Sequence, residues 1–192
     1  EFNGKKLNSP NDVVVKSDGS VWFTDPTYGI LSDYEGRRAT PEQSGCHVYR
    51  IDPEISDITQ MTCDFMQPNG LAFNADETAL FISDTGASHE ENGPKHIRKF
   101  NLGANGQRLE ESTVFAECSA GLFDGFRFDN AGRLWSSAAD GVHCFDPDGT
   151  LIGKILIPEM VANLCFGGSA GNRLFIAGTT SLYAVYLTVN GV

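Results

Sequence analysis

Four times along this chain an Asn or Asp stands shortly before an apolar strand, and a turn and a second, often aromatic, strand follow at near-constant spacing. Pro10-Asn11-Asp12-Val13-Val14-Val15 leads to Val21-Trp22-Phe23-Thr24-Asp25, and Pro68-Asn69-Gly70-Leu71-Ala72-Phe73 leads to Leu80-Phe81-Ile82-Ser83-Asp84. Asp124-Gly125-Phe126-Arg127-Phe128 leads to Leu134-Trp135-Ser136-Ser137, and Asn163-Leu164-Cys165-Phe166 leads to Leu174-Phe175-Ile176-Ala177. In a repeat architecture the same position of every unit faces the same place, so Asn11, Asn69, Asp124 and Asn163 are expected to converge on one axis. Converging hard oxygens suit a cation.

The offsets between these four residues are 58, 55 and 39. Units of about 40 to 50 residues carrying four strands each are the mark of a β-propeller. Period-two apolar runs between Gly, Asp, Asn and Pro turn signals predict strands at 13–16, 21–24, 47–51 and 58–62 in the first unit. They continue at 71–73, 80–83, 97–102 and 113–116, then at 126–128, 134–137, 142–145 and 151–157, and finally at 164–166, 174–176 and 182–187. The fold class is therefore all-β, with about four blades in a single domain spanning residues 1–192. The uneven offsets place insertions at 28–43 and 87–95, each between the second and third strands of its unit. Rich in Gly, Glu, Ser and Asn, they read as surface lids or rims. A fourth unit lacking its outer strand leaves unpaired edges. Either residues 2–7 complete the last sheet, or the chain belongs to a larger ring.

With 192 residues and 41% hydrophobic content, the chain supports one sizeable core. Fourteen Lys and Arg face 25 Asp and Glu, for a net charge of −11, and there is no basic run, so nucleic acid and anionic membrane are poor partners. No apolar run approaches the roughly 18 residues of a membrane-spanning helix. Five cysteines without a Cys-x-x-Cys pair point to buried free thiols rather than a disulfide framework. The expected location is cytoplasmic, with the periplasm left open.

The segments Leu7-Asn8-Ser9-Pro10-Asn11-Asp12-Val13 and Asp18-Gly19-Ser20-Val21-Trp22-Phe23-Thr24-Asp25-Pro26-Thr27-Tyr28-Gly29 closely resemble the gluconolactonase branch of the family that also holds regucalcin (senescence marker protein) and luciferin-regenerating enzyme. Pro68-Asn69-Gly70, Phe81-Ile82-Ser83-Asp84-Thr85, Phe123-Asp124-Gly125, Leu134-Trp135-Ser136-Ser137 and Phe166-Gly167-Gly168 continue the resemblance in order. It implies a six-bladed propeller that hydrolyses sugar lactones or related esters with one divalent cation in its channel, calcium or another such as magnesium or zinc. Asn69 and Asp124 match the family's Pro-Asn-Gly and Asp-Gly metal ligands, and Asn11 matches its pocket Asn. The family's Glu ligand has no counterpart and is expected upstream of Glu1, in a missing segment or a partner chain that completes the ring. Ser9 stands where regucalcin-like members carry an Arg that grips the sugar acid.

Two neutral amide oxygens and one carboxylate suit calcium or magnesium better than a soft metal. The rival reading is that each Asn or Asp merely builds an Asx turn before its strand. Asp124, set between Phe123 and Phe126, needs a partner if buried, and it is the candidate metal ligand and general base. Asn11, Asp12 and Asn163 are the candidate pocket residues, and Asp25 and Asp84 stand at strand ends as turn or inter-blade acceptors. His47 and His143 fall within apolar strands and are expected to be packed, whereas His89 and His96 flank the second insertion. No Gly-x-Ser-x-Gly elbow is present, and neither Ser44 nor Ser136-Ser137 has an adjacent His, which disfavours a serine hydrolase. The function expected is metal-dependent opening of a sugar-derived lactone to its hydroxy acid. Phosphotriester or aryl-ester hydrolysis at the same metal, and a non-catalytic binding propeller, are the alternatives.

Overall fold

Alternation of short apolar runs with turn residues produces fifteen strands in a computed structural model that describes residues 1–192. They form four antiparallel meanders in chain order. The first blade comprises β1 (Val13–Val15), β2 (Val21–Asp25), β3 (Cys46–Ile51) and β4 (Ile58–Phe65). The second comprises β5 (Pro68–Phe73), β6 (Ala79–Asp84), β7 (His96–Leu102) and β8 (Leu109–Glu117). The third comprises β9 (Phe126–Phe128), β10 (Leu134–Ala138), β11 (Gly141–Phe145) and β12 (Leu151–Leu156), and the fourth has three strands, β13 (Val161–Gly167), β14 (Arg173–Gly178) and β15 (Leu182–Tyr186). The only helical elements lie in the insertions: α1 (Tyr28–Leu31) in the first and a 3₁₀ turn (Gly86–Ser88) in the second. These are successive blades of a partial β-propeller.

One rung of each second strand holds the blades together. Trp22 meets Phe73 of the next blade edge-on at 5.6 Å, Phe81 meets Phe128 at 4.8 Å, and Trp135 meets Phe166 at 6.3 Å. Edge-to-face pairs of this kind contribute about 0.5–1.5 kcal/mol beyond the area they bury. Both indole N–H groups are satisfied, by Ser20 Oγ at 2.9 Å and by Asp129 Oδ2 at 2.8 Å. The two Trp side chains thus fill gaps between blades, as their matching repeat positions predict. Residue Phe175 occupies the same rung of the fourth blade, opposite Cys165.

Strand register shifts one member of the proposed repeat column. Phe23, Ile82, Ser136 and Ile176 pair with Val13, Leu71, Phe126 and Leu164, and two residues before each of those partners stand Asn11, Asn69, Asp124 and Ala162. Asn163 therefore shares its column with Asp12, Gly70 and Gly125. Its side chain behaves accordingly: Asp12 Oδ1 accepts the N–H of Val13 at 2.9 Å, and Asn163 Oδ1 accepts that of Leu164 at 2.8 Å. One residue fewer separates Asn163 from its first apolar pairing, a difference that spacing alone obscures.

Residues 2–7 do not complete the last sheet. Phe2 and Lys5 pair across a tight turn, with Asn3 and Gly4 at φ 51° and 73°, and the Phe2 ring rests 5.1 Å from that of Tyr49 in the first blade. His47 and His143 are buried as expected. All five cysteines are free, but Cys63 and Cys165 are exposed, because each points away from the core face of its strand. No helix is long and apolar enough to cross a membrane.

Candidate active site

Three hydroxyls in one repeat column lie beneath the inner strands: Thr24, Ser83 and Ser137, all fully buried next to the last residue of the second strand. Thr24 Oγ1 accepts the N–H of Asp12 at 3.1 Å and donates to the carbonyl of Asn69 at 2.8 Å, which ties the first two blades at the site. Ser83 Oγ donates to the Gly70 carbonyl at 3.3 Å, and Ser137 Oγ accepts the N–H of Asp124 at 2.9 Å. Local polar partners thereby satisfy a backbone that leaves regular pairing as it enters each inner strand.

Asp25 and Asp84 form a second column, and they act within their own blades. The carboxylate of Asp25 receives the N–H groups of Asn8 and Ser9 at 2.9 and 2.8 Å, and that of Asp84 receives those of Met66 and Gln67, both at 2.9 Å. Each clamps the two residues before the Pro that precedes Asn11 or Asn69. The corresponding strand ends of the third and fourth blades are Ala138 and Gly178, which have no such side chain.

Close backbone approach brings the candidate residues together. A Cβ on Gly70 would stand 2.0 Å from the Asp124 carbonyl oxygen, and one on Gly125 would stand 2.1 Å from Asn163 Oδ1. The glycines after Asn69 and Asp124 are thus sockets for the next blade. Asp12 Oδ2 accepts the N–H of Leu71 at 3.1 Å, so both its oxygens hold backbone, although its charge still reaches Asp124. Asn11 is exposed and is anchored by its N–H on the Thr24 carbonyl at 2.9 Å.

Asn69 and Asp124 present unmet oxygen. Asn69 Oδ1 is buried with no hydrogen-bond partner, whereas its Nδ2 points to Thr85 Oγ1 at 3.5 Å. Burial first, and then the charges of Asp12 and Glu35, push the Asp124 carboxyl up to about 6. A carboxylate raised by desolvation and by like charges lacks a cation, and the orphaned amide oxygen of Asn69, whose neighbour Gly70 abuts the Asp124 backbone, lacks a donor; a bound divalent ion would meet both needs. The oxygens left unmet, one amide and one carboxylate, are hard donors of the kind calcium and magnesium take.

Two residues that sequence reasoning left aside also reach this region. Tyr28, at the start of α1, has its phenol pushed up by burial and by the charges of Asp124 and Asp84. Glu35 lies on the exposed part of the same insertion, beside a Gly36 whose Cβ would stand 2.1 Å from the Gly29 carbonyl. An acidic residue next to a glycine in an insertion was the only sequence signal for it. Ser44 does have a nearby imidazole, with His47 Nε2 at 3.4 Å from its Oγ. His47 Nδ1 is buried without a partner, so no third group orients a dyad there.

Residues 1–180 match the family described as the SMP-30/Gluconolactonase/LRE-like region. A gluconolactonase of Zymomonas mobilis is 32% identical over 193 residues, covering 96% of this chain and 52% of the relative. The solved gluconolactonase of Xanthomonas campestris is 38% identical, with a TM-score of 0.88 over all of this chain and 60% of that one. Regucalcin of Agrobacterium tumefaciens, at 18% identity and a TM-score of 0.73, covers 95% of this chain and 62% of its own, and shares the fold. The chain thus spans about half the length of the curated gluconolactonase and three fifths of the solved one.

Proposed function

The chain belongs to the SMP-30/gluconolactonase/LRE-like family, and from that premise we propose that the protein carrying it is a metal-dependent lactonase that opens a sugar-derived lactone to its hydroxy acid. The observation that carries this reading is an unpartnered Asn69 Oδ1 and a desolvated, unneutralised Asp124 carboxyl on two inner strands that abut at Gly70. Both gluconolactonase relatives named above support the substrate class.

Asn69 and Asp124 would hold the cation, calcium or a similar hard ion, with Asn11, Asp12 and Asn163 around them. When bound, the ion supplies polarisation of the lactone carbonyl and neutralises charge developing on its oxygen. Asp124 accepts a proton from the attacking water, as a carboxylate within reach of that water can. The hydroxyl adds to the carbonyl carbon, the ring C–O bond breaks, and the proton goes to the departing ring oxygen, leaving a hydroxy acid. Asp12 keeps its oxygens on Val13 and Leu71 and holds the first two inner strands in register.

Replacing Asp124 with Asn keeps the volume and removes the charge. Gluconolactone hydrolysis followed by pH-stat should then fall by at least about 100-fold, the lower range for a lost general base. Asn69→Ala should instead weaken metal affinity, and excess calcium should partly restore its rate. Near-normal turnover in Asp124→Asn would refute the mechanism. Hydrolysis that survives chelator, or is faster on a phosphotriester than on gluconolactone, would move the assignment to another ester chemistry.

A further inference from the structure

The two insertions meet over Asn69 through one hydrogen-bonded chain. The Tyr28 hydroxyl is in contact with Thr85 Oγ1 and lies 3.4 Å from the Thr85 carbonyl and 3.2 Å from Ser88 Oγ. Ser88 Oγ in turn is 2.7 Å from His89 Nδ1, and the Tyr28 ring lies 5.5 Å from the His89 ring. Tyr28 comes from the first insertion, and Ser88 and His89 from the second. At the inner end, Thr85 Oγ1 donates to the Gln67 carbonyl at 3.1 Å and faces Asn69 Nδ2 at 3.5 Å.

Proton counting orders this chain. A hydroxyl has one hydrogen to give and two lone pairs to receive. Thr85 gives its hydrogen to Gln67 O, so its oxygen must accept from both Asn69 Nδ2 and Tyr28. Tyr28, its one hydrogen directed at Thr85, can bond Ser88 only as an acceptor, and Ser88 meets His89 Nδ1 in a direction that the imidazole tautomer sets. From Tyr28 inward the hydrogens run toward the Gln67 carbonyl. Asp84 holds that same residue by its N–H.

This polarity decides which end of the Asn69 amide faces the site. A Thr85 oxygen that can only accept takes Nδ2 and leaves Oδ1 free; a Thr85 that could rotate would donate to the oxygen of a reversed amide equally well. We infer that Tyr28 is a positioning residue: by fixing the Thr85 hydroxyl it holds Asn69 with its carbonyl oxygen toward the cation, and by binding Ser88 it joins both insertions into one wall. The inference rests on Asn69 as a cation ligand, and it adds that the first insertion controls the quality of that ligand. Partners behind a metal ligand typically alter affinity about 10- to 100-fold, so the effect should be measurable.

Tyr28→Phe deletes one hydroxyl and keeps the ring on His89. Calcium titration of the 192-residue chain should show about tenfold weaker binding in Tyr28→Phe and in Thr85→Val, and less than about twofold change in Thr85→Ser, which restores the hydroxyl. In the same samples, the Asn69 side-chain amide resonances should shift and broaden in Tyr28→Phe and Thr85→Val but not in Thr85→Ser. Unchanged affinity together with unmoved Asn69 resonances in Tyr28→Phe would overturn the inference. Should the unsubstituted chain, which has no counterpart of the family's Glu ligand, bind no calcium, the amide resonances alone decide the latch: moved supports it, unmoved ends it.

Discussion

Within residues 1–192 the first and fourth blades each have one face that no other blade of this chain covers, and the two faces differ in what lies on them. On the first, Phe23 and Tyr49 stack at 5.4 Å and are buried beneath Phe2, and Gln43 Nε2 fastens the covering segment by donating to the carbonyls of Phe2, Lys5 and Lys6 at 3.4, 3.1 and 2.9 Å. On the fourth, Leu182 and Tyr186 are 72% and 70% exposed, and Phe175 has no ring opposite it. The Arg173 guanidinium lies over Phe175 and Tyr186 instead, 4.9 and 5.4 Å from their centroids. A neighbouring blade, a few terminal residues or a single cation over two rings each reduce the exposed area, by very different amounts.

The same rung, substituted in turn, gives the largest expected contrast. Trp22→Ala, Phe81→Ala and Trp135→Ala should each cost about 3–5 kcal/mol in urea unfolding, as deletions of buried aromatic rings do. In the 192-residue chain Phe175→Ala, with no other blade of that chain against it, should cost under about 1 kcal/mol. Equal losses at all four positions would break the distinction between covered and open faces.

Gly125→Ala should cost about 1–3 kcal/mol through overpacking, because its new methyl meets Asn163 Oδ1, and Asn163→Ala should recover most of that loss. Gly70→Ala meets a backbone oxygen and should have no such side-chain rescue. A Gly125→Ala chain that Asn163→Ala leaves equally unstable would mean that the third and fourth blades do not meet through this socket.

A smaller effect separates two buried carboxyls. Asp25 is raised by burial but receives two N–H groups, whereas Asp124 is raised to about 6 with none on its oxygens. Because the folded Asp124 binds its proton more tightly than the unfolded one, stability should fall as pH rises from about 4 through about 6 and level off above. In chelator, Asp124→Asn should flatten that slope, and Asp25→Asn should destabilise at neutral pH, where Asp25 is the charged acceptor of two N–H groups. A slope unchanged in Asp124→Asn would remove Asp124 as its source.

Most of the strands were legible in the sequence because alternation is a local property, and every predicted strand overlaps an observed one. The Asn163 column was not, since Ala162 and Asn163 differ in role only through the pairing of Val161 with Gly178 and Asn163 with Ala177, a register irregularity invisible in a single strand. Asp25 and Asp84 were noticed as strand-end acceptors, but their partners lie 16 to 18 residues back, beyond any turn rule. Tyr28 escaped because an insertion has no period, and its partners Thr85 and Ser88 sit 57 and 60 residues away. The hydroxyl column of Thr24, Ser83 and Ser137 could have been read by aligning the repeats on their second strands rather than their first.

The sockets at Gly70 and Gly125 make neighbouring blades answerable to one another. The residue that one blade offers the site is seated on the glycine of the blade before it, so the units cannot be traded singly between relatives. A chimera cut between Gly125 and Asn163 would separate a socket from its plug, whereas one that moved both blades as a pair would carry the fit along. Divergence in such a ring should proceed by couples, with the change at one position waiting on permission from its neighbour.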